Sequence, residues 1–239
     1  EGDGFVSLGT SGVVLTARSG FAPMAETAVH SFCHAVPGQW YQMGVVLAAT
    51  DSMNWLSGIT RATPKELTDA LGETPDCPGK LLFLPYLSGE RTPHNDSVVR
   101  GGFIGLDIAH TREDMARAVM EGVCYALRDS LEALRATGAA PERLLAIGGG
   151  TASAHWVAML ASILKLPLDL PAQGEFGAAL GAARLAICAS ARNWSRRVSA
   201  ENWRAGMSGA LAAATAALVL AGLPTTSTLT SRLATLSSA

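Results

Sequence analysis

No CxxC pair occurs in the 239 residues, and the four cysteines, Cys33, Cys77, Cys124 and Cys188, are widely scattered. That usage argues against a disulfide framework and against a thiolate zinc site, and it fits a reducing cytosol. Charge is scarce as well. Charged residues make up 16% of the chain and the formal net charge is −2, which gives no field for grasping nucleic acid or an anionic membrane surface. No basic n-region followed by an apolar h-region opens the sequence, and position 1 is not methionine. The opening EGDGFVSLGT reads as mid-protein sequence, so a fragment of a longer protein is expected. What is abundant is apolar material, 49% of residues, enough for one large core or two small ones.

The pattern along the chain is mixed α/β. FVSLGTSGVVLTAR reads as two short strands joined by a tight turn at Gly9 to Gly12. AVHSFCHAV and GQWYQMGVV form a second hairpin around Pro37-Gly38. From about Gly44 to Thr60 the spacing of Val46, Ala49, Met53 and Leu56 predicts a helix. Residues 61–79 are polar and contain three prolines. A strand follows over Leu81 to Leu87, and GGFIGL supplies another short strand segment. Thr111, with Asp114 three residues on, reads as the N-cap of a helix running to about Ala136 and closed by Gly138. LLAIGGG is a buried strand, and a helix from about Ser153 to Leu164 comes next. After PLDL, the small-residue run EFGAALGAARLAICA reads as a closely packing helix. Antiparallel hairpins first, then strand, glycine turn and helix in alternation, imply a mixed sheet with flanking helices.

Near Ser190 the composition changes. Residues 191–239 contain no Asp and no Lys, and Glu201 is their only acid. Ser208 to Pro224 is apolar but short and Ala-rich for a membrane span, which needs about 20 residues. A bland helix or a poorly ordered tail is the expectation, one that adds little to the fold.

Two turns carry the chemistry. SLGTSG places Gly9, Thr10, Ser11 and Gly12 between strands, where glycine permits close backbone approach and N–H groups and hydroxyls can donate to phosphate. The bland alternative is an ordinary hairpin turn. AIGGGTASAHW is a strand, then Gly148, Gly149 and Gly150, then a helix start. It suits a flat nucleotide slot with helix-end N–H groups turned toward it, or it is simply a tight junction. It matches neither the GxGxxG fingerprint nor a P-loop, since no Gly-Lys-Ser/Thr follows. Two such turns in one domain suggest half of an actin-like ATPase.

Four segments, FVSLGTSGVV, HSFCHAVPGQWY, FLPYLSGERTPHN and IGGGTASAHW, resemble the carboxy-terminal domain of the FGGY carbohydrate kinases, specifically their xylulokinase branch. A further signature matches: Gly101, Phe103, Gly105 and Leu106, then Asp114, Met115, Ala118, Val119, Met120 and Glu121 at the proper spacing. The resemblance covers about residues 1–190 and stops at the tail. There a shifted reading frame would explain the loss of acids.

The resemblance implies an RNase H-like fold and a full-length enzyme that phosphorylates a ketopentose such as D-xylulose from ATP. Glycerol, ribulose or a related polyol is the alternative substrate, and a non-catalytic orphan domain the alternative role. It implies that Gly9, Thr10 and Ser11 face the outer ATP phosphates and that Gly148, Gly149 and Gly150 frame the adenosine. Trp55 matches a tryptophan near the nucleotide, or else anchors a helix to the core. Ala154 stands near where the family carries a polar nucleotide contact and cannot donate. The expected metal is the Mg²⁺ that arrives with ATP. His30 and His34, with Phe32 between them, lack a third ligand and read as packed or hydrogen-bonded residues. In the family the catalytic base is an aspartate in a GDN-type segment shortly before the SLGTSG turn. Asp3 lies too close to that turn to match, so no catalytic residue is assigned in this chain. The sugar would be held by an amino-terminal domain outside this sequence. A homodimer stays open. The loop Phe83 to Asn95 either braces the cleft, with Glu90 and Arg91 reaching across it, or satisfies itself as an Ω-loop, with Glu90 bonding backbone N–H groups and Arg91 bonding carbonyls.

Overall fold

The structure, a computed structural model, describes residues 3–75, 78–171 and 177–190. The chain divides into two units, 1–175 and 176–239. The second contributes one described helix, Gly177–Ser190. The tail expectation falls on residues 191–239, outside the described residues.

In chain order the first unit holds strands β1 (Gly4–Leu8), β2 (Gly12–Arg18), β3 (His30–Cys33) and β4 (Trp40–Val46). Helices α1 (Thr50–Thr60) and α2 (Pro64–Asp69) follow, then strands β5 (Leu82–Leu84) and β6 (Gly102–Ile104) and the long helix α3 (Arg112–Ala136). Strand β7 (Leu144–Ile147), helix α4 (Ala154–Leu164) and strand β8 (Leu168–Asp169) complete it. Six strands form one mixed sheet in the order β3-β4-β2-β1-β7-β8. The pairs β1–β2, β2–β4 and β3–β4 are antiparallel, while β7 runs parallel to β1 and to β8. The two sequence-predicted hairpins and the later parallel strands are therefore present, and the fold class matches the expectation.

Alternation sets the sheet's buried face. Val6, Leu8 and Val14 have no exposure, and Ser7 and Val13 beside them are only partly buried. Helix α3 packs across β2 and β4 and touches α1, α4 and β5. Its fully buried Leu127, Leu131 and Leu134 recur at helical spacing, and each contributes roughly 1.5–3 kcal/mol of transfer free energy. The Thr111 hydroxyl accepts the Asp114 N–H at 3.2 Å while Asp114 returns a bond to the Thr111 N–H at 2.9 Å, a full capping box. Gly138, with φ +83°, follows the helix as read from the sequence.

Two local expectations need correction, and one element was not anticipated. The helix read from Gly44 starts at Thr50, because Gly44, Val45 and Val46 continue β4 and pair with Val14, Val13 and Gly12. Gly44 has a packing reason: a Cβ there would sit 2.8 Å from the Ser130 Cβ of α3. The polar stretch after Thr60 contains α2, launched by Thr63 and Glu66 in a second capping box with Pro64 in the first turn. The strand expected over Leu81 to Leu87 is only Leu82–Leu84, and it pairs with β6 in a separate two-stranded sheet. Among the described residues no helix is long and apolar enough to cross a membrane.

Candidate functional site

The two glycine turns lie side by side. Gly148 leaves the end of β7 with φ +95°, and a Cβ on it would stand 2.6 Å from the Leu8 carbonyl oxygen and 3.0 Å from the Gly9 nitrogen. Only glycine serves there, on conformation and on space. Gly150 is buried, and a Cβ on it would meet the Leu8 Cβ at 2.8 Å and the Thr50 Cγ2 at 3.1 Å. Gly149 differs: a Cβ on it meets nothing within 4 Å.

The turn at residues 9–11 is held from the other side by the start of α1. The Gly9 carbonyl accepts the Thr50 N–H at 2.9 Å, and the Thr10 carbonyl accepts the N–H groups of Ala49 at 2.9 Å and Asp51 at 3.3 Å. Helix-start donors are thus satisfied by the turn itself. The Ser11 hydroxyl donates to the Leu47 carbonyl at 3.2 Å, and both Thr10 and Ser11 are exposed at the tip.

Beside this junction lies a cavity of about 420 Å³, within the range of about 300–1,000 Å³ common for small-molecule sites. Gly149, Gly150 and Ser153 form one wall, and Thr50, Met53 and Asn54 of α1 form another. The spacing i, i+3, i+4 puts those three α1 residues on one face, a spacing already present in the sequence. Lys65 and Asp69, paired on α2, add a charged edge. Between β7 and α4 the chain makes a 3-10 turn, Gly149–Ala152, so α4 begins only at Ala154. Its Trp156 N–H is taken by the Ser153 hydroxyl at 3.3 Å and its Val157 N–H by the Ser153 carbonyl at 3.1 Å.

Of the sequence-predicted residues, Gly149 and Gly150 line the cavity, while Gly148 ties that wall to the Gly9–Ser11 turn. Trp55 is elsewhere. It stacks on Phe83, centroids 5.8 Å apart, and on Phe103 at 6.2 Å, and it is not among the cavity's lining residues. Of its two readings, the stack corresponds to the helix anchor. His30 stacks on Phe32 at 5.6 Å, and the His34 Nδ1 accepts the Val36 N–H at 2.9 Å. Among the described residues no group of three His, Cys, Asp or Glu side chains is placed to hold a metal ion.

The polar loop packs against the chain end of β4. Glu90 is 2% exposed, and its Oε1 accepts N–H groups from Leu47 and Arg91. Burial pushes its carboxyl pKa upward, partly offset by those two hydrogen bonds. Glu90 therefore follows the Ω-loop alternative. Arg91 is exposed. Thr92, 1% exposed, accepts the Val45 N–H and donates to the Ala28 carbonyl.

Comparison with known proteins fits this geometry. The family model for the FGGY family of carbohydrate kinases, C-terminal domain, matches residues 4–190. A xylulose kinase from Klebsiella pneumoniae is 46% identical over 186 residues, and one from Escherichia coli is 45% identical over the same length. Each alignment covers 77% of this chain and 38% of the relative, so the chain spans well under half the length of the curated relatives it matches. A crystal structure described as a xyloylose kinase from Brucella ovis superposes with a TM-score of 0.77 at 50% identity, covering 79% of this chain and 39% of that one. The mixed sheet with flanking helices is accordingly the actin-like ATPase fold of these kinases, and the chain belongs to the FGGY family of carbohydrate kinases, whose carboxy-terminal domain it carries.

Proposed function

We propose that this chain is the nucleotide-side half of a xylulokinase-type sugar kinase, moving the γ-phosphoryl group of ATP to a hydroxyl of a ketopentose such as D-xylulose. One observation carries the reading. The Gly9–Ser11 turn and the Gly148–Gly150 turn touch each other, and Gly149 and Gly150 of the second line a cavity. The similarity to xylulose kinases supports the substrate class.

In this reading adenosine lies against Gly149 and Gly150, with the α1 face of Thr50, Met53 and Asn54 opposite. The phosphates extend toward Thr10 and Ser11, and Mg²⁺ enters with them, supplying charge stabilisation during transfer. What these residues contribute is positioning: a glycine wall that lets the base approach, and a turn whose backbone is fixed by the N–H groups of Ala49, Thr50 and Asp51. The base that takes the sugar proton, and the sugar site itself, are assigned to residues outside this sequence.

The test is a chimera in which residues 4–190 replace the matching segment of the Klebsiella pneumoniae relative. The expected result is ADP release that depends on D-xylulose, while the 239-residue chain alone releases none above background. A folded but inert chimera, together with a chain that binds no ATP, would favour the non-catalytic orphan domain.

A further inference from the structure

Strand β4 ends at Val46, where its last ladder partner is Gly12, so the Leu47 N–H lies beyond the sheet. Leu47 is half-buried, and its donor is left without a ladder acceptor. Glu90 supplies it from 43 residues away, its Oε1 accepting the Leu47 N–H at 3.0 Å and the Arg91 N–H at 2.7 Å. The carboxyl is not free to swing. The backbone of Glu90 exchanges two hydrogen bonds with Asp96, at 2.8 and 2.9 Å. Thr92, two residues on, donates its N–H to the Val45 carbonyl at 3.0 Å and accepts the Ser130 hydroxyl on its own carbonyl at 3.2 Å. The loop is thereby locked onto the end of β4, onto Leu47 just after it and onto α3.

Leu47 is the link. On one side its N–H is held by Glu90. On the other its carbonyl accepts the Ser11 hydroxyl at 3.2 Å, at the tip of the Gly9–Ser11 turn. Two residues later Ala49 begins the run of N–H groups that grips the Gly9 and Thr10 carbonyls. The arrangement also costs stability. Glu90 Oε2 is buried with no hydrogen-bond partner among the described residues, and an apolar side chain would avoid that penalty. A carboxyl tolerated on those terms, with its other oxygen on the N–H of the residue whose carbonyl bonds Ser11, is consistent with a role beyond packing.

We propose that Glu90 is a positioning residue for the phosphate turn: through the Leu47 N–H it fixes Leu47, whose carbonyl takes the Ser11 hydroxyl proton and so holds in place the turn whose backbone N–H groups are left to donate to phosphate. The proposal rests on reading the Gly9–Ser11 turn as the outer phosphate contact.

Calorimetry on the full chain with ATP and with adenosine tests it, using wild type, Glu90→Ala, Glu90→Gln, Ser11→Ala and the Glu90→Ala/Ser11→Ala double variant. Adenosine has no phosphates, so it reports the cavity and the fold alone. Glu90→Ala is expected to weaken ATP about tenfold, the scale of one lost hydrogen bond to a charged group. Adenosine should stay within about twofold, because the cavity residues are untouched. Glu90→Gln keeps the Oε1 acceptor and should hold ATP within about twofold. In the Ser11→Ala background Glu90→Ala should add less than about twofold, since both lie on one path. Equal losses for ATP and adenosine, additive losses for the two alanine variants, or no loss in Glu90→Ala would overturn the proposal. If Glu90→Ala does not fold, Glu90→Asp, whose acceptor is withdrawn by one methylene, takes its place with the same expectations. Wild type that binds neither ligand, or Ser11→Ala that leaves ATP binding intact, defeats the nucleotide reading itself, and the proposal with it.

Discussion

Gly149 and Gly150 are adjacent, both line the cavity, and they should fail in different ways. A valine at 149 meets no protein atom within 4 Å of its Cβ, and the backbone there is outside the left-handed region, so the fold should accept it. Its side chain would occupy the cavity of about 420 Å³ that the nucleotide is proposed to fill. Overpacking a fitted space costs about 1–3 kcal/mol, equivalent to a rise in Kd of roughly 5- to 150-fold. Gly150→Val meets the protein instead, with Leu8 Cβ at 2.8 Å, Thr50 Cγ2 at 3.1 Å and the Leu8 carbonyl at 3.2 Å. There the same 1–3 kcal/mol or so falls on stability, lowering Tm by roughly 2–12 °C for a domain of this size. Calorimetry with ATP and adenosine, beside thermal melting, separates the two. The expected pattern is lost affinity at unchanged Tm for Gly149→Val and lost Tm for Gly150→Val. Wild-type affinity for both ligands in Gly149→Val would refute the reasoning, because the glycines would then be a turn and nothing more.

Trp55→Ala should lower stability by about 2–3 kcal/mol through the lost stack on Phe83 and Phe103, and leave ATP affinity within about twofold. A large affinity loss at constant Tm would favour the other reading, a tryptophan near the nucleotide. Thr92→Val strands the buried Val45 N–H and the Ala28 carbonyl, and should cost about 2 kcal/mol in chemical denaturation. No change would mean those groups find other partners. Glu90 gives a pH signature. Burial raises its folded pKa above the ordinary 4.5, so the folded state holds a proton that the unfolded chain has released. Its contribution is most favourable below pH 4.5 and declines as pH rises from there through the raised folded value. Glu90→Gln does not titrate, so its Tm relative to wild type should climb across that window. A relative fall with rising pH would show that the ionised carboxylate is the favoured form.

The elements that were legible in the sequence are those whose signals are local. Thr111 with Asp114 marked the start of α3, Gly138 its end, and the glycine turn at Gly9 to Gly12 the first hairpin. Thr63, Pro64 and Glu66 carried an equally local signal for α2, obscured by the prolines around it. The misread boundary at Gly44 had a different cause. Val46, Ala49 and Met53 satisfy a helical period, but pairing with Gly12 and Val13 outweighs it, and that pairing spans more than thirty residues. The glycine turns were legible as types of turn. That Gly148 meets Gly9, and that Gly149 alone faces open space, depends on β7 lying parallel beside β1. The link from Glu90 to Leu47 to Ser11 joins three distant segments, and no spacing rule announces it.

Hydrogen exchange of the 239-residue chain with and without saturating ATP tests the central claim most directly. Nucleotide at the paired glycine turns should slow exchange in residues 8–12, 47–54 and 148–154 together, with β3 and the α3 core unchanged. Adenosine should reproduce the effect in 148–154 and 50–54 but not at the Gly9–Ser11 turn. ATP protection confined to other segments, or an exchange pattern identical with and without nucleotide, would contradict the account.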